Sequence, residues 1–350
     1  MSRMLQEIRQ QPATLRRTLE RGLRGVRGLE RRLGKDRPRL VVIAARGTSD
    51  NAGQFGRYLI EITTGIPVSL AAPSVVTLYK KGLDLRGTLV VGISQSGEST
   101  DTNAVLSNAR KRGAITVGVT NEPRSTMAQT AEHILLVHAG EERSVAATKT
   151  YTGQLLALYL LASALGGSVR ADDLRRIPGS VEAILRQESR IAEAVERYRF
   201  MSGTVTVGRG LNYANALEFG LKLMETCYVL AERFSAADLM HGPIAVVERA
   251  FPVFVFAPPG PTWPSTSRVL KRLAELSADT LVITDSAHAK AIKSARSIEI
   301  PEPRLSYAIE DLYTPIPYII PAQLFAAHLA RVKGLDPDRP RTLSKITRTM

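Results

Sequence analysis

A hydroxyl-rich run, Ser94-Gln95-Ser96-Gly97-Glu98-Ser99-Thr100, follows the apolar stretch Leu89 to Ile93 and precedes Asn103 to Arg110, whose composition is helical. A loop of this kind lies where a strand empties into a helix N-terminus, with unpaired backbone N–H groups and the positive end of the helix dipole. The chemistry it favours is phosphate binding, with Ser94, Ser96, Ser99 and Thr100 as donors and Gly97 allowing close backbone approach. Ser and Thr also serve simply as helix caps, but four hydroxyls around one glycine exceed what a single cap needs. No lysine follows the glycine, so the pattern is not a nucleotide P-loop.

A second set of residues suits proton transfer. Glu218, Lys222 and Glu225 recur at i, i+4 and i+7 in the predicted helix Tyr213 to Tyr228, which puts them on one face beside an apolar stripe of Leu217, Leu221, Met224 and Tyr228. Taken alone, Glu218 followed by Lys222 is the order of a solvated surface pair, the commoner occurrence. The functional alternative is a carboxylate base kept ionised by the lysine, able to carry a proton between adjacent carbons. His241, in His241-Gly242-Pro243, follows a polar loop with Asp238 three residues earlier, and Lys345 stands near the C-terminus between Leu343 and Ile346, which favour a docked tail. Thr148 and Lys149 precede a long apolar helix; one reading has them look into the phosphate crevice, while cap and surface are the ordinary roles of such a pair.

These groups need a scaffold to hold them. From Arg39 onward, short apolar strands alternate with helical stretches, the pattern of a parallel sheet covered by helices on both sides. Predicted strands are Leu40 to Ala45, Ile66 to Leu70, Leu89 to Ile93, Ile115 to Val119 and Ile134 to Val137. The first of them runs into Arg46-Gly47-Thr48-Ser49, so two strand ends can point donors at one crevice beyond the strand C-termini. After a break at Gly166 to Arg170 the pattern restarts: Val205 to Ala216 echoes Val41 to Ala52, and Pro252 to Ala257 echoes the unit beginning at Leu89. A duplicated α/β unit is implied. The second copy has Pro258 to Pro264 where the first has its Ser-rich loop, which assigns phosphate binding to the first copy. The expected division is an N-terminal amphipathic helical arm at 1–38, a first subdomain at 39–168, a helical connector at 169–200 interrupted at Pro178-Gly179, a second subdomain at 201–333 and a tail at 334–350.

Composition limits the remaining choices. With 350 residues, 44% of them hydrophobic, the chain can bury a large core. The apolar run Leu155 to Leu165 is too short to span a bilayer and no apolar signal core opens the sequence, so the expectation is a cytoplasmic protein without membrane attachment. One cysteine, Cys227, excludes an internal disulfide, and five histidines without ligand spacing imply no metal. The net charge of +14 is mostly arginine distributed along the chain, which fits solvated basic faces or an anionic small substrate better than nucleic acid.

Taken together, these stretches resemble the sugar isomerase (SIS) domain family, specifically the isomerase half of glucosamine-6-phosphate synthase and its stand-alone amino-sugar-phosphate deaminase relatives. The resemblance runs from Glu7-Ile8-Arg9-Gln10-Gln11-Pro12 through Arg46 to Ser49, Ser94 to Ser99, Val145 to Lys149, Leu217 to Glu225 and His241-Gly242-Pro243 to Leu343-Ser344-Lys345. It implies two duplicated SIS-type subdomains of flavodoxin-like three-layer form, and it implies roles for individual residues. Thr48, Ser49, Ser94, Gln95, Ser96, Ser99, Val145 and Ala146 would bind a phosphorylated amino sugar, and Glu225 would move a proton between C1 and C2. His241 would assist ring opening from the neighbouring subunit of a homodimer with its site at the interface. Lys345 would lie at the sugar carbonyl as a Schiff-base amine, with Glu218 and Lys222 supporting the helix face.

Where the synthases have Ser and Thr, this chain has Ala147 and Ser99, and it begins at the isomerase half without a glutaminase nucleophile. Those departures point toward a cofactor-free isomerase/deaminase converting glucosamine 6-phosphate to fructose 6-phosphate and ammonia. A fructosamine-6-phosphate deglycase and a non-catalytic sugar-phosphate sensor are the alternatives. A sensor that regulates transcription would need a DNA-binding domain, and the arm before Arg39 shows no helix-turn-helix pattern.

Overall fold

The structure, a computed structural model, describes residues 2–292, 295–301, 311–343 and 345. It separates into two compact units. One comprises Ala13–Glu142, Lys149–Arg175 and, from the C-terminal segment, Lys345; the other comprises Met1–Pro12, Arg143–Thr148 and Arg176–Leu343.

In the first unit, five short runs rich in Val, Ile and Leu build a parallel sheet: β1 Leu40–Ala44, β2 Val68–Leu70, β3 Thr88–Ile93, β4 Ile115–Thr120 and β5 His133–Leu136. Their order is β2-β1-β3-β4-β5. β3 and β4 are buried along their whole length, which is why they read as continuous apolar runs and not as alternating ones. On one face Val42, Ala44 and Val90 pack with Val105, Leu106 and Ala109 of helix Thr100–Lys111. Ile43 points to the other face. There helix Thr48–Thr64 comes close because Gly56 has no side chain: a Cβ at that position would lie 3.3 Å from Ile43 and 3.1 Å from Leu158 of helix Lys149–Ala164.

The second unit repeats the plan with β6 Gly203–Gly208, β7 Leu230–Ser235, β8 Pro252–Ala257, β9 Asp279–Asp285 and β10 Arg296–Ile300, all parallel. The order β10-β9-β8-β6-β7, read from β7, is that of the first sheet, so the duplication expected from the sequence is present. Val205, Val207, Val253 and Val255 pack with Leu270 and Leu273 of helix Trp263–Glu275 on one face. On the other, Phe254 meets Phe219 and Phe325 edge-to-face, with ring centroids 5.1 and 5.0 Å away.

The N-terminal segment is helical and consists of three helices, Arg3–Arg9, Gln11–Gly25 and Arg27–Lys35, with residues 2–12 in the second unit. Its apolar positions Leu15, Leu19, Val26, Leu29 and Leu33 are all buried. The connector is not interrupted at Pro178-Gly179, because helix Ile177–Leu185 begins there with the proline in its first turn, where no intrahelical N–H is lost. Finally, Leu217, Leu221, Met224 and Tyr228 are only partly buried; the core-facing side of helix Tyr213–Cys227 carries Phe219, Leu223 and Cys227. Of the expected tail, Ser344 and 346–350 lie outside the described residues. No helix among the described residues is long and apolar enough to cross a membrane.

Candidate active site

The order of the first sheet reverses between β1 and β3, and both strands release loops toward the crevice such a reversal creates. The loop after β3 is built by its own hydroxyls and amides. Ser94 Oγ accepts from Gly97 N at 3.1 Å and Ser96 Oγ accepts from Glu98 N at 3.2 Å, while Asn103 Nδ2 donates to Gly97 O at 2.9 Å. Ser99 is the N-cap of helix Thr100–Lys111, its hydroxyl 3.0 Å from that of Thr102. Gly97 has φ +67°, and a Cβ there would stand 2.1 Å from Ser125 Oγ, so only glycine is accommodated. On the far side of the loop Thr120 Oγ1 and Asn121 N both donate to Gln95 O, at 3.2 and 3.0 Å. Ser94 is buried, whereas Gln95, Ser96 and Ser99 are partly exposed at the end of a twelve-residue helix.

The loop after β1 joins this arrangement through an ion pair that the sequence did not reveal: Arg46 Nη2 lies 2.8 Å from Asp101 Oδ2, in the first turn of the helix after β3. Thr48 opens helix Thr48–Thr64 and is half-buried. Ser49 is buried, and its hydroxyl accepts from Gln154 Nε2 at 2.9 Å. Thr48 and the Ser94–Ser99 loop therefore gather donors at adjacent strand ends, while Ser49 ties its helix to Lys149–Ala164.

Lys345 also belongs to this unit. Its Nζ is 3.1 Å from Glu142 Oε2, and Glu142 accepts in turn from Thr150 N at 3.1 Å and Thr150 Oγ1 at 2.6 Å. Lys149 is not a surface residue, as its type and place suggested, but is 3% exposed with Nζ donating to Glu141 O at 2.6 Å. Thr148, 0% exposed, is likewise interior. Glu142 was missed because its partner Lys345 lies 203 residues away, although an acidic residue ahead of a helix N-terminus is a recognisable pattern. That was the available signal.

In the second unit, Val145 and Ala146 lie on a stretch fixed at both ends. Glu7 Oε2 accepts from Ser144 N at 3.2 Å, and Gln323, which accepts from Gln11 Nε2 at 2.8 Å, donates to Thr148 O at 3.3 Å. The helix Tyr213–Cys227 overturns the solvated-face reading of its charges: Glu218 is 0% and Lys222 1% exposed. Lys222 Nζ is 3.5 Å from Glu218 Oε1 and bonds directly to Glu225 Oε2. Glu225, 23% exposed, is the member that reaches a cavity of about 250 Å³ lined also by Met224, Tyr228, Arg341, Thr342 and Leu343. Arg341 stacks 4.1 Å above the Tyr228 ring and its backbone N–H donates to the Tyr228 hydroxyl at 2.8 Å, which holds Arg341 over the helix terminus. Cys227, two residues from Glu225, is buried; burial pushes its thiol up to about 12, so it is no nucleophile near neutral pH. His241 is exposed at the end of the short helix Ala236–Met240, which Ser235 caps. Among the described residues no cluster of His, Cys, Asp and Glu has the form of a metal site.

A partly exposed carboxylate tied to a buried ammonium is an arrangement for moving a proton, and a hydroxyl loop at a helix N-terminus is one for holding an anion. The SIS domain model matches residues 36–164 and 204–333. The isomerizing glutamine–fructose-6-phosphate aminotransferase of Gloeobacter violaceus is 37% identical over 98% of this chain, and the chain spans 58% of that protein's length. Among solved structures, the C-terminal domain of glucosamine-fructose-6-phosphate aminotransferase from Francisella tularensis superimposes with a TM-score of 0.86 at 28% identity, covering 97% of this chain and 98% of that one. Glucosamine-6-phosphate deaminase from Thermotoga maritima shares the fold, with a TM-score of 0.79 at 22% identity over 99% of this chain and 100% of its own.

Proposed function

Because the chain belongs to the SIS domain family, we propose that it is a sugar-phosphate aldose-ketose isomerase/deaminase that converts glucosamine 6-phosphate and water into fructose 6-phosphate and ammonia. The observation that carries this reading is Glu225, a partly exposed carboxylate at a cavity, ion-paired to a lysine that is itself buried. Glu225 removes the proton from C2 of the open-chain sugar and delivers it to C1, leaving a carbon–nitrogen double bond at C2 that water hydrolyses to the ketone and ammonia. Lys222 pairs with Glu225 and Glu218 supports Lys222. Thr48, Ser94, Gln95, Ser96 and Ser99 hold the phosphate, Val145 and Ala146 bind the substrate with them, and Lys345 meets the sugar carbonyl. His241 assists ring opening in the neighbouring subunit of a homodimer. The hydroxyl loop at the β1/β3 reversal supports the choice of a phosphorylated substrate, and Ala147 and Ser99 support the deaminase direction.

The aminotransferase relatives favour one specific competitor, net amination of fructose 6-phosphate. The deciding experiment incubates the purified protein with glucosamine 6-phosphate and follows fructose 6-phosphate and ammonia together. Stoichiometric release of both supports the proposal. Neither product, together with net amination of fructose 6-phosphate when an amine donor is added, would show the reverse direction to be the real one.

A further inference from the structure

We infer that Glu142 is the fixed counter-ion and temporary proton holder of Lys345. The inference rests on the proposed role of Lys345 as the amine that meets the sugar carbonyl. Three observations locate it. Lys345 Nζ is 3.1 Å from Glu142 Oε2, and the two side chains are 25% and 0% exposed. The carboxylate is fixed independently of the lysine by the backbone N–H and hydroxyl of Thr150, at 3.1 and 2.6 Å. Thr150 is the second residue of the sixteen-residue helix Lys149–Ala164, so the carboxylate sits where the helix N-terminus favours negative charge. A carboxylate without solvent contact needs a positive partner, and Lys345 supplies one from a more exposed position. The other charged groups on the same stretch are Glu141 and Arg143, both with exposed side chains, and Lys149, whose amine donates to the Glu141 carbonyl.

The chemistry of an imine suits this pairing, because nitrogen is positive at both ends of the step. Lys345 begins as an ammonium. It gives one proton to Glu142, and its lone pair forms the N–C bond to the carbonyl carbon. A second amine proton passes to the former carbonyl oxygen, and the hydroxyl leaves as water when Glu142 returns the first proton. The products are an iminium and one water, with Glu142 again ionised beside the positive nitrogen. One immobile carboxylate matches the charge before and after, with no reorganisation of surrounding groups.

The test reads Lys345 without any sugar: reductive methylation with formaldehyde and cyanoborohydride across the pH range in which lysines titrate, scored lysine by lysine by peptide mass mapping. In Glu142→Gln the ammonium loses its counter-ion, so Lys345 labelling near neutral pH should rise about threefold or more while the exposed lysines do not change. Glu142→Asp keeps the charge and should keep the wild-type profile. An unchanged Lys345 profile in Glu142→Gln, or the same change in both variants, would overturn the inference. If Glu142→Gln does not fold, Thr150→Val removes only the hydroxyl that fixes the carboxylate and should raise labelling by a smaller factor; no rise counts against the inference. With glucosamine 6-phosphate, Glu142→Gln should lose about tenfold or more in kcat with KM nearly unchanged, and Glu142→Asp should regain part of it. A wild-type protein inert toward that sugar would refute the proposed function while the labelling result still decides the role of Glu142.

Discussion

Lys222 places its ammonium 3.5 Å from Glu218 Oε1 on a helix face where the two side chains are 1% and 0% exposed. The i, i+4 spacing that usually marks a surface pair here marks an interior one, with Glu225 as its third member at the cavity. Two charges removed from water are tolerable only together.

Lys222→Met should therefore destabilise the protein by about 3–5 kcal/mol, because it removes the buried ammonium beside Glu218. Urea unfolding of Lys222→Met, Glu218→Gln and the double variant checks this: the double variant should recover part of the loss. Strictly additive losses would mean that the two groups do not compensate one another.

The fold was legible in the sequence because buried parallel strands announce themselves. Pro252 to Ala257 was read to the residue, and Val205 to Ala216 identified the repeat. Burial on the charged helix was not legible. Periodicity placed Glu218, Lys222 and Glu225 on one face, but the choice between solvent and interior depended on Phe219, Leu223 and Cys227, which pack the same side more deeply than the Leu217, Leu221 and Met224 stripe. Arg46–Asp101 and Lys345–Glu142 escaped for a different reason: each joins residues far apart in sequence, and no local spacing encodes such a pair.

On the phosphate side, Ser96→Ala should weaken binding of glucosamine 6-phosphate by about 1.5–3 kcal/mol, the worth of a hydrogen bond to a charged group. Calorimetry with glucosamine as the second ligand makes the comparison. Equal affinity of the wild-type protein for glucosamine and its 6-phosphate would remove the phosphate from the account.

Stability should also respond to acid through Glu188. Burial pushes its carboxyl up, but the hydrogen bond and charge of Arg9, together with His328, outweigh burial and hold it below the usual carboxylate range. A carboxyl depressed in the folded state contributes stability that is present above its unfolded value and is lost as pH falls through the folded one. Glu188→Gln should thus be less stable than wild type near neutral pH, and the gap should begin to narrow near the unfolded carboxylate value of about pH 4 and close as pH falls through the lower folded value. A gap that stays constant on acidification would contradict this.

Assembly is open to a complementation test. If His241 completes the site of a neighbouring subunit, chains carrying His241→Ala and Glu225→Gln, each inactive alone, should regain part of the activity when co-assembled in equal amounts. Verified mixed dimers with no recovered activity would mean that each site is made within one chain.

The central claim is that Glu225 carries the proton between C1 and C2, and the most direct measurement compares wild type with Glu225→Gln on glucosamine 6-phosphate, following fructose 6-phosphate and ammonia under saturating substrate. The amide keeps the shape of the carboxylate but not its basicity, so kcat should fall about 10²-fold or more with substrate affinity little changed. A Glu225→Gln protein that releases both products at the wild-type rate would contradict the account.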